Sequence, residues 1–307
     1  MSATFQRLYT RLAPALARRG GGADAPTPET IAGYRRAQRV AYDSVTTVAG
    51  RLRPGITERA AARLLAEDLH ARGVRTYLHR PFAWFGEHSR FTGYDGDFHA
   101  FHPGEQTLAE GAPYILDVSP IVEGFMADIG YTVTPRESEA QVSAKKLLIE
   151  LRGEIRSLFE SSRTLSEIWD EVDRRVRAAG LQNCHALYPL RVLGHRVYRV
   201  SPRWSRIRLP RLPVKLMGFD WFSPQALGKF TTGLLAPDLL TPENHEPARS
   251  KVGFWAIEPH VGGEGFGAKF EEILAVDADG RAEWIDDDTP HMREALRRGW
   301  IARGAAA

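Results

Sequence analysis

Apolar positions at helical spacing begin after residue 27 and recur halfway along the chain. After Thr27-Pro28, a helix start with threonine as N-cap and proline in the first turn, Ile31, Tyr34, Ala41, Val45 and Val48 follow on one face. Pro54-Gly55 predicts the end of this helix near Arg53. Thr57 then caps a second helix carrying Ala60, Leu64, Leu65 and Leu69, stopped at Gly73. The same pair returns as a helix over residues 142–159 and another that opens on the capping box Thr164-Leu-Ser-Glu167. It runs through Ile168, Val172 and Val176 to Gly180. Short apolar, strand-like runs follow each pair. Two helix pairs, each feeding strands, make a coarse internal duplication of α+β type.

The strand-like runs carry charge where burial should forbid it. Residues 114–116 read as a strand, and residues 125–133 as its antiparallel return across a loop at 119–124. Asp117 follows the first run and Asp128 lies in the second. Taken alone, this pair has two readings: one aspartate faces solvent while the other caps a turn, or both face one cation. Downstream, His195 follows Gly194 after the mostly apolar stretch 187–193, and Glu258 and Glu271 each sit in a further apolar run. A carboxylate in such a setting costs several kcal/mol unless compensated. The ordered set Asp, Asp, His, Glu, Glu favours the cation. Four carboxylates and one imidazole suit two divalent ions, whose charge balances the cluster.

These residues carry a resemblance. Gly124-Phe-Met-Ala-Asp128-Ile129, Gly194-His195, Ile257-Glu258-Pro259 and Lys269-Phe270-Glu271-Glu272 are similar, in order, to the motifs of the pita-bread metallopeptidases, the family of methionine aminopeptidase, aminopeptidase P and prolidase. The resemblance spans about residues 28–285 and implies a pita-bread fold, a pseudo-twofold curved antiparallel sheet with helices on its outer face. It implies that Asp117 chelates one ion, Asp128 and Glu271 bridge two, and His195 and Glu258 complete the second site, with Glu258 doubling as proton shuttle. It also implies a water activated by two divalent ions and attacking an amide carbonyl. Mn²⁺ is the first expectation for so oxygen-rich a set, with Zn²⁺, Co²⁺ or Fe²⁺ as the other candidates.

Between the first helix pair and Asp117 lies a stretch from Trp84 to Pro103 rich in glycine, aromatics and histidine, read as loops and short strands over a pocket. The family keeps a non-ligand histidine about eighteen residues before its first metal aspartate, a place that His99 fills, with His102 as the fallback. Its implied role is to hydrogen-bond the scissile carbonyl or oxyanion. Trp84 and Trp221 are the aromatic candidates for substrate contact. The chain departs from its relatives in two places. His195 and Glu258 are 63 residues apart, and the extra segment, about residues 200–250, mixes Trp204, Trp221 and Phe222 with Arg203, Arg206, Arg208, Arg211 and Lys215. It reads as a lid or dimer contact, with anion recognition as the other reading. Pro202 stands where the peptidases carry a second, substrate-contacting histidine, leaving His245, His260 or an arginine to replace it.

Composition adds limits. With 43% hydrophobic residues among 307, the chain can bury a sizeable core, and a net charge of +3 gives no case for nucleic acid. The one cysteine, Cys184, excludes an intrachain disulfide and reads as a packed core thiol in a reducing, cytoplasmic setting. No run is long enough for a membrane span. Residues 1–27 read as an extension with a short amphipathic helix and a Gly/Pro linker, 28–300 as the catalytic domain and 301–307 as a tail. The partner is expected to be a small peptide or amide-like molecule, with a homodimer left open. Three functions stand: an Xaa-Pro-type aminopeptidase, a metalloenzyme on the same scaffold with a non-peptide substrate, and a non-catalytic binding protein.

Overall fold

The computed structural model describes residues 24–91, 98–188, 191–199 and 238–302, apart from the side chains of Phe98 and His99. The amphipathic helix expected within residues 1–20, most of the 200–250 segment, and Pro202 and Trp221 within it, lie outside these residues, as does the end of the tail.

Helix α1 (Pro28–Ala49) starts on a capping box in which the Thr27 hydroxyl accepts from the Thr30 N–H while Thr30 answers to the Thr27 N–H. It ends four residues before the expected Arg53. Beyond Ala49, Arg51 and Leu52 wind back onto Val48 in turn bonds ahead of Pro54. Helix α2 (Glu58–Ala71) is capped by Thr57 and closes at Gly73, whose φ of 89° only glycine adopts freely. Helix α3 (Glu139–Glu160) begins earlier than its apolar face, on the box Ser138…Gln141, and α4 (Leu165–Ala178) begins on Thr164…Glu167 as expected.

The first half contributes β1 (Thr76–Tyr77), β2 (Phe82–Phe85), β3 (Tyr114–Val118), β4 (Pro120–Val122), β5 (Phe125–Met126) and β6 (Ile129–Val133). They form antiparallel sheets in the orders β2-β3-β6 and β1-β4-β5. The expected single hairpin is thus split. Glu123 and Gly124, with φ of 52° and 87°, make a tight turn that pairs β5 with β4, and only residues from Ile129 onward return along β3. Asp128 occupies the break.

The second half contributes β7 (Gln182–Asn183), β8 (Gly194–Val197), β9 (Leu239–Leu240), β10 (Gly253–Ile257), β11 (His260–Gly263), β12 (Phe266–Lys269), β13 (Glu272–Val276) and β14 (Ala282–Trp284), followed by helix α5 (Pro290–Arg297). Their orders are β14-β13-β10-β8-β9 and β12-β11-β7. Glu258 and Glu271 therefore sit just beyond β10 and between β12 and β13, not inside strands. The halves meet where the Thr132 hydroxyl takes the Lys269 N–H at 2.7 Å and donates to the Lys269 carbonyl at 2.8 Å, beside a Tyr131–Phe270 bridge. Helix α1 spans both halves. Ala41, Val45 and Val48 pack with the first-half strands, while Tyr34 stacks on Phe254 of β10 at 4.1 Å. Helices α3 and α4 cover the second half through Leu151, Ile155 and Trp169, packed with Trp255 of β10. No helix among the described residues is long and apolar enough to cross a membrane.

A buried ion network anchors β13. Arg152 of α3 donates to both oxygens of Glu272 (2.7 and 3.0 Å) and to Asp287 (2.8 Å), and the His291 ring meets Glu272 at 2.6 Å. Burial alone would raise the Glu272 carboxyl, but Arg152 and His291 outweigh it and hold the group down at about 2. A carboxyl lowered on folding contributes stability above its unfolded value near 4.5 and loses it as pH falls toward 2. Glu272→Gln should therefore flatten the acid limb of the stability profile between those two values, with a wild-type loss on the order of 3 kcal/mol. Arg152→Ala should cost about 3–5 kcal/mol at neutral pH. Urea unfolding across pH measures both.

Candidate metal centre

Asp117, Asp128, His195, Glu258 and Glu271 line one cavity together with His79, Lys269, Phe82, Trp84, Tyr188 and Val192. All five expected ligands are brought together. Three of the four carboxylates hang from strand breaks, where the side chain escapes the alternation of the pleat, and Asp117 lies opposite Gly130 on β6. Each is buried. Glu258, at 9% exposure, is the least so and Asp128, at 1%, among the most.

Asp128 is the hub. Its Oδ1 lies 3.0 Å from His79 Nε2 and its Oδ2 3.2 Å from His195 Nε2. Burial would raise the Asp128 carboxyl, but the two imidazoles hold it well below the carboxylate range. For His79 burial acts downward, and Asp128 and Asp117 prevail to lift it to about 9. Each ring also donates Nδ1–H to a backbone carbonyl, His79 to Arg80 (2.7 Å) and His195 to Arg196 (3.2 Å), which turns Nε2 toward the cavity.

Lys269 is the other cationic element. Its Nζ donates to Asp117 Oδ2 at 2.7 Å and Glu258 Oε2 at 3.0 Å, and lies 3.1 Å from Glu271 Oε2. Burial disfavours the ammonium, yet the three carboxylates keep it firmly charged. Burial raises both Glu258 and Glu271, Glu271 also through Asp128, with Lys269 pulling the other way in each.

One buried oxygen, Asp117 Oδ1, makes no hydrogen bond; His79 Nε2 is 3.3 Å away. The donors fit a divalent ion: atoms of Asp128, His195 and Glu271 lie within 4.8 Å of one another, as do those of His79, Asp117 and Asp128.

A profile of metallopeptidase family M24 matches residues 32–278 of the chain. The chain belongs to metallopeptidase family M24. No curated protein sequence matched it. Among solved structures, an X-Pro aminopeptidase from Thermotoga maritima is 14% identical, with a TM-score of 0.61 over 93% of this chain and 70% of that one. A prolidase from Pyrococcus furiosus is 14% identical (TM-score 0.59, 85% of this chain, 64% of that one). A dipeptidase from Mycobacterium ulcerans is 17% identical (TM-score 0.59, 91% and 62%). At such identity these likenesses establish the M24 pita-bread fold, and the chain spans less than two thirds of the second and third.

Other expected residues fare differently. Trp84 is a wall of the cavity, 1% exposed, stacked on Phe82 and donating to the Phe101 carbonyl at 2.6 Å. His102 lies one ring back, 5.9 Å from Phe82. His99 falls in a short 3-10 turn (Phe98–Phe101), its side chain outside the described part. Of the three replacements expected for the second histidine (His245, His260 or an arginine), neither histidine reaches into the cavity with a free ring nitrogen. His260 donates to the Ser89 carbonyl (2.7 Å) and takes the Tyr188 hydroxyl (2.8 Å), while His245 is exposed and absent from the cavity wall. Cys184 is a packed core thiol, pushed up by burial.

His79 and Lys269 were missed as cavity residues by the sequence reading. For Lys269 no local signal existed: Glu271 lies beyond the end of β12, so their two-residue spacing defines no shared strand face. His79, in a turn before β2, offered none either. Lys269 also explains Gly130, where an added Cβ would lie 2.3 Å from Lys269 Cε. Gly130→Ala should cost about 1–3 kcal/mol by forcing that lysine aside. Gly153→Ala, in open space on α3, should instead stabilise by about 0.5–1 kcal/mol. Chemical denaturation of the two variants checks the contrast.

Proposed function

We propose that this chain is a divalent-metal-dependent hydrolase acting on the amide bond of a small peptide, in the manner of an Xaa-Pro aminopeptidase. One observation carries the reading: Asp117, Asp128, His195, Glu258 and Glu271 converge on a single buried cavity in an M24 fold. The set has oxygen donors for up to two ions, Mn²⁺ best suited. When bound, such an ion lowers the pKa of a water and polarises a carbonyl.

The chain's own residues supply the rest. Glu258 is the least buried of the five, and burial raises its carboxyl, so it can take a proton from a nucleophilic water and pass it to a leaving amine. Its Oε2 is pinned by Lys269, which orients the group. Phe82, Trp84 and Tyr188 wall the cavity and exclude bulk water. His99 is assigned the carbonyl-binding role on the resemblance, and Trp221 a substrate contact as an aromatic of the 200–250 segment. The unpaired, buried Cys184 accords with a reducing, cytoplasmic setting.

A non-peptide amide is the second reading. It is favoured by Pro202 at the place of the second histidine and by the full engagement of His260. A purely binding role is disfavoured, because without an ion Lys269, His79 and His195 leave the four buried carboxylates incompletely offset. Mn²⁺-loaded protein should release the N-terminal residue of Xaa-Pro peptides, and Glu258→Gln should cut kcat by about 10²-fold or more. Turnover of non-peptide amides alone would select the second reading. Equal rates for wild type and Glu258→Gln on every amide tried would sink both.

A further inference from the structure

We propose that the Lys269 ammonium takes the place of a second cation, so that the chain holds one divalent ion, on the His195 side of the cavity. This deepens the metal-hydrolase reading and rests on it. Lys269 Nζ sits within 2.7–3.1 Å of one oxygen each from Asp117, Glu258 and Glu271, the position of an ion shared by three carboxylates.

That position is built in. The lysine backbone is clamped at both N–H and C=O by the Thr132 hydroxyl, and its side chain lies across Gly130, whose missing Cβ leaves the space that Cε and Nζ fill. His79 covers the same side from above, 3.0 Å from Asp128 Oδ1 and 3.3 Å from Asp117 Oδ1. Chain cations thus face both oxygens of Asp117 and one oxygen each of Asp128, Glu258 and Glu271. Asp128 Oδ2, His195 Nε2 and Glu271 are left as a cluster of ligands for an ion.

Charge agrees. A second dication would have to share the three oxygens with an ammonium and repel it at close range. Lys269 therefore sets the metal count of the centre.

The test uses the full chain stripped by chelator and titrated with Mn²⁺. Calorimetry and elemental analysis should give one tight ion per chain, and electron paramagnetic resonance the six-line spectrum of isolated Mn²⁺. Two ions per chain, or a spin-coupled pair, overturns the inference and leaves the hydrolase reading standing. No bound ion overturns both. Lys269→Gln should raise the stoichiometry from one to two. A folded variant that still binds a single ion would show that the lysine does not exclude the second. Should that variant not fold, the wild-type stoichiometry decides alone.

Discussion

Four carboxylates within one buried cavity are the constraint on which the rest of this molecule depends. Each costs several kcal/mol to bury uncompensated, and packing them together adds mutual repulsion. Most proteins would avoid the arrangement or neutralise it with as many cations. Here the described residues offer one ammonium and two imidazoles, Lys269, His79 and His195, all drawn onto the carboxylates. The remaining negative charge gives the cavity its appetite for a divalent ion, and through it the chemistry proposed for the chain.

The fold exists to hold that charge in place. Continuous strands would have sent alternate side chains to opposite faces. Breaking the hairpins after β5, β10 and β12 lets Asp128, Glu258 and Glu271 turn inward regardless of register. Behind the cavity the supports are rigid. Arg152 locks Glu272, the neighbour of Glu271, from the helix side, and Tyr42 of α1 donates to the Glu271 carbonyl at 2.8 Å. His185 binds the Glu258 carbonyl at 2.6 Å, and its ring is held neutral, at about 3, by burial and by Lys269. A charged ring there would oppose the ammonium, so its neutrality is part of the design.

How much of this was legible in the sequence follows from the range of the physics involved. Helix starts are local: Thr27, Thr57 and Thr164 announced three of them, because capping needs residues only three positions apart. The five acidic and histidine positions were legible because charge inside an apolar run is anomalous wherever the run lies. The split hairpin was not, since Glu123-Gly124 resembles an ordinary loop until φ values are known. His79 and the centring of Lys269 depend on contacts 49 and 152 residues away in sequence, to Asp128 and Asp117, and no local pattern encodes them. Gly130 became meaningful only once a lysine from the other half was seen to need its space.

The account stands on the convergence of these side chains around a divalent ion, and diffraction tests it directly. Crystals soaked in Mn²⁺ and measured for anomalous scattering should show a peak within about 2.0–2.6 Å of Asp128, His195 and Glu271. A clean anomalous map with no peak in the cavity, or with the ion held only by surface carboxylates, would contradict it.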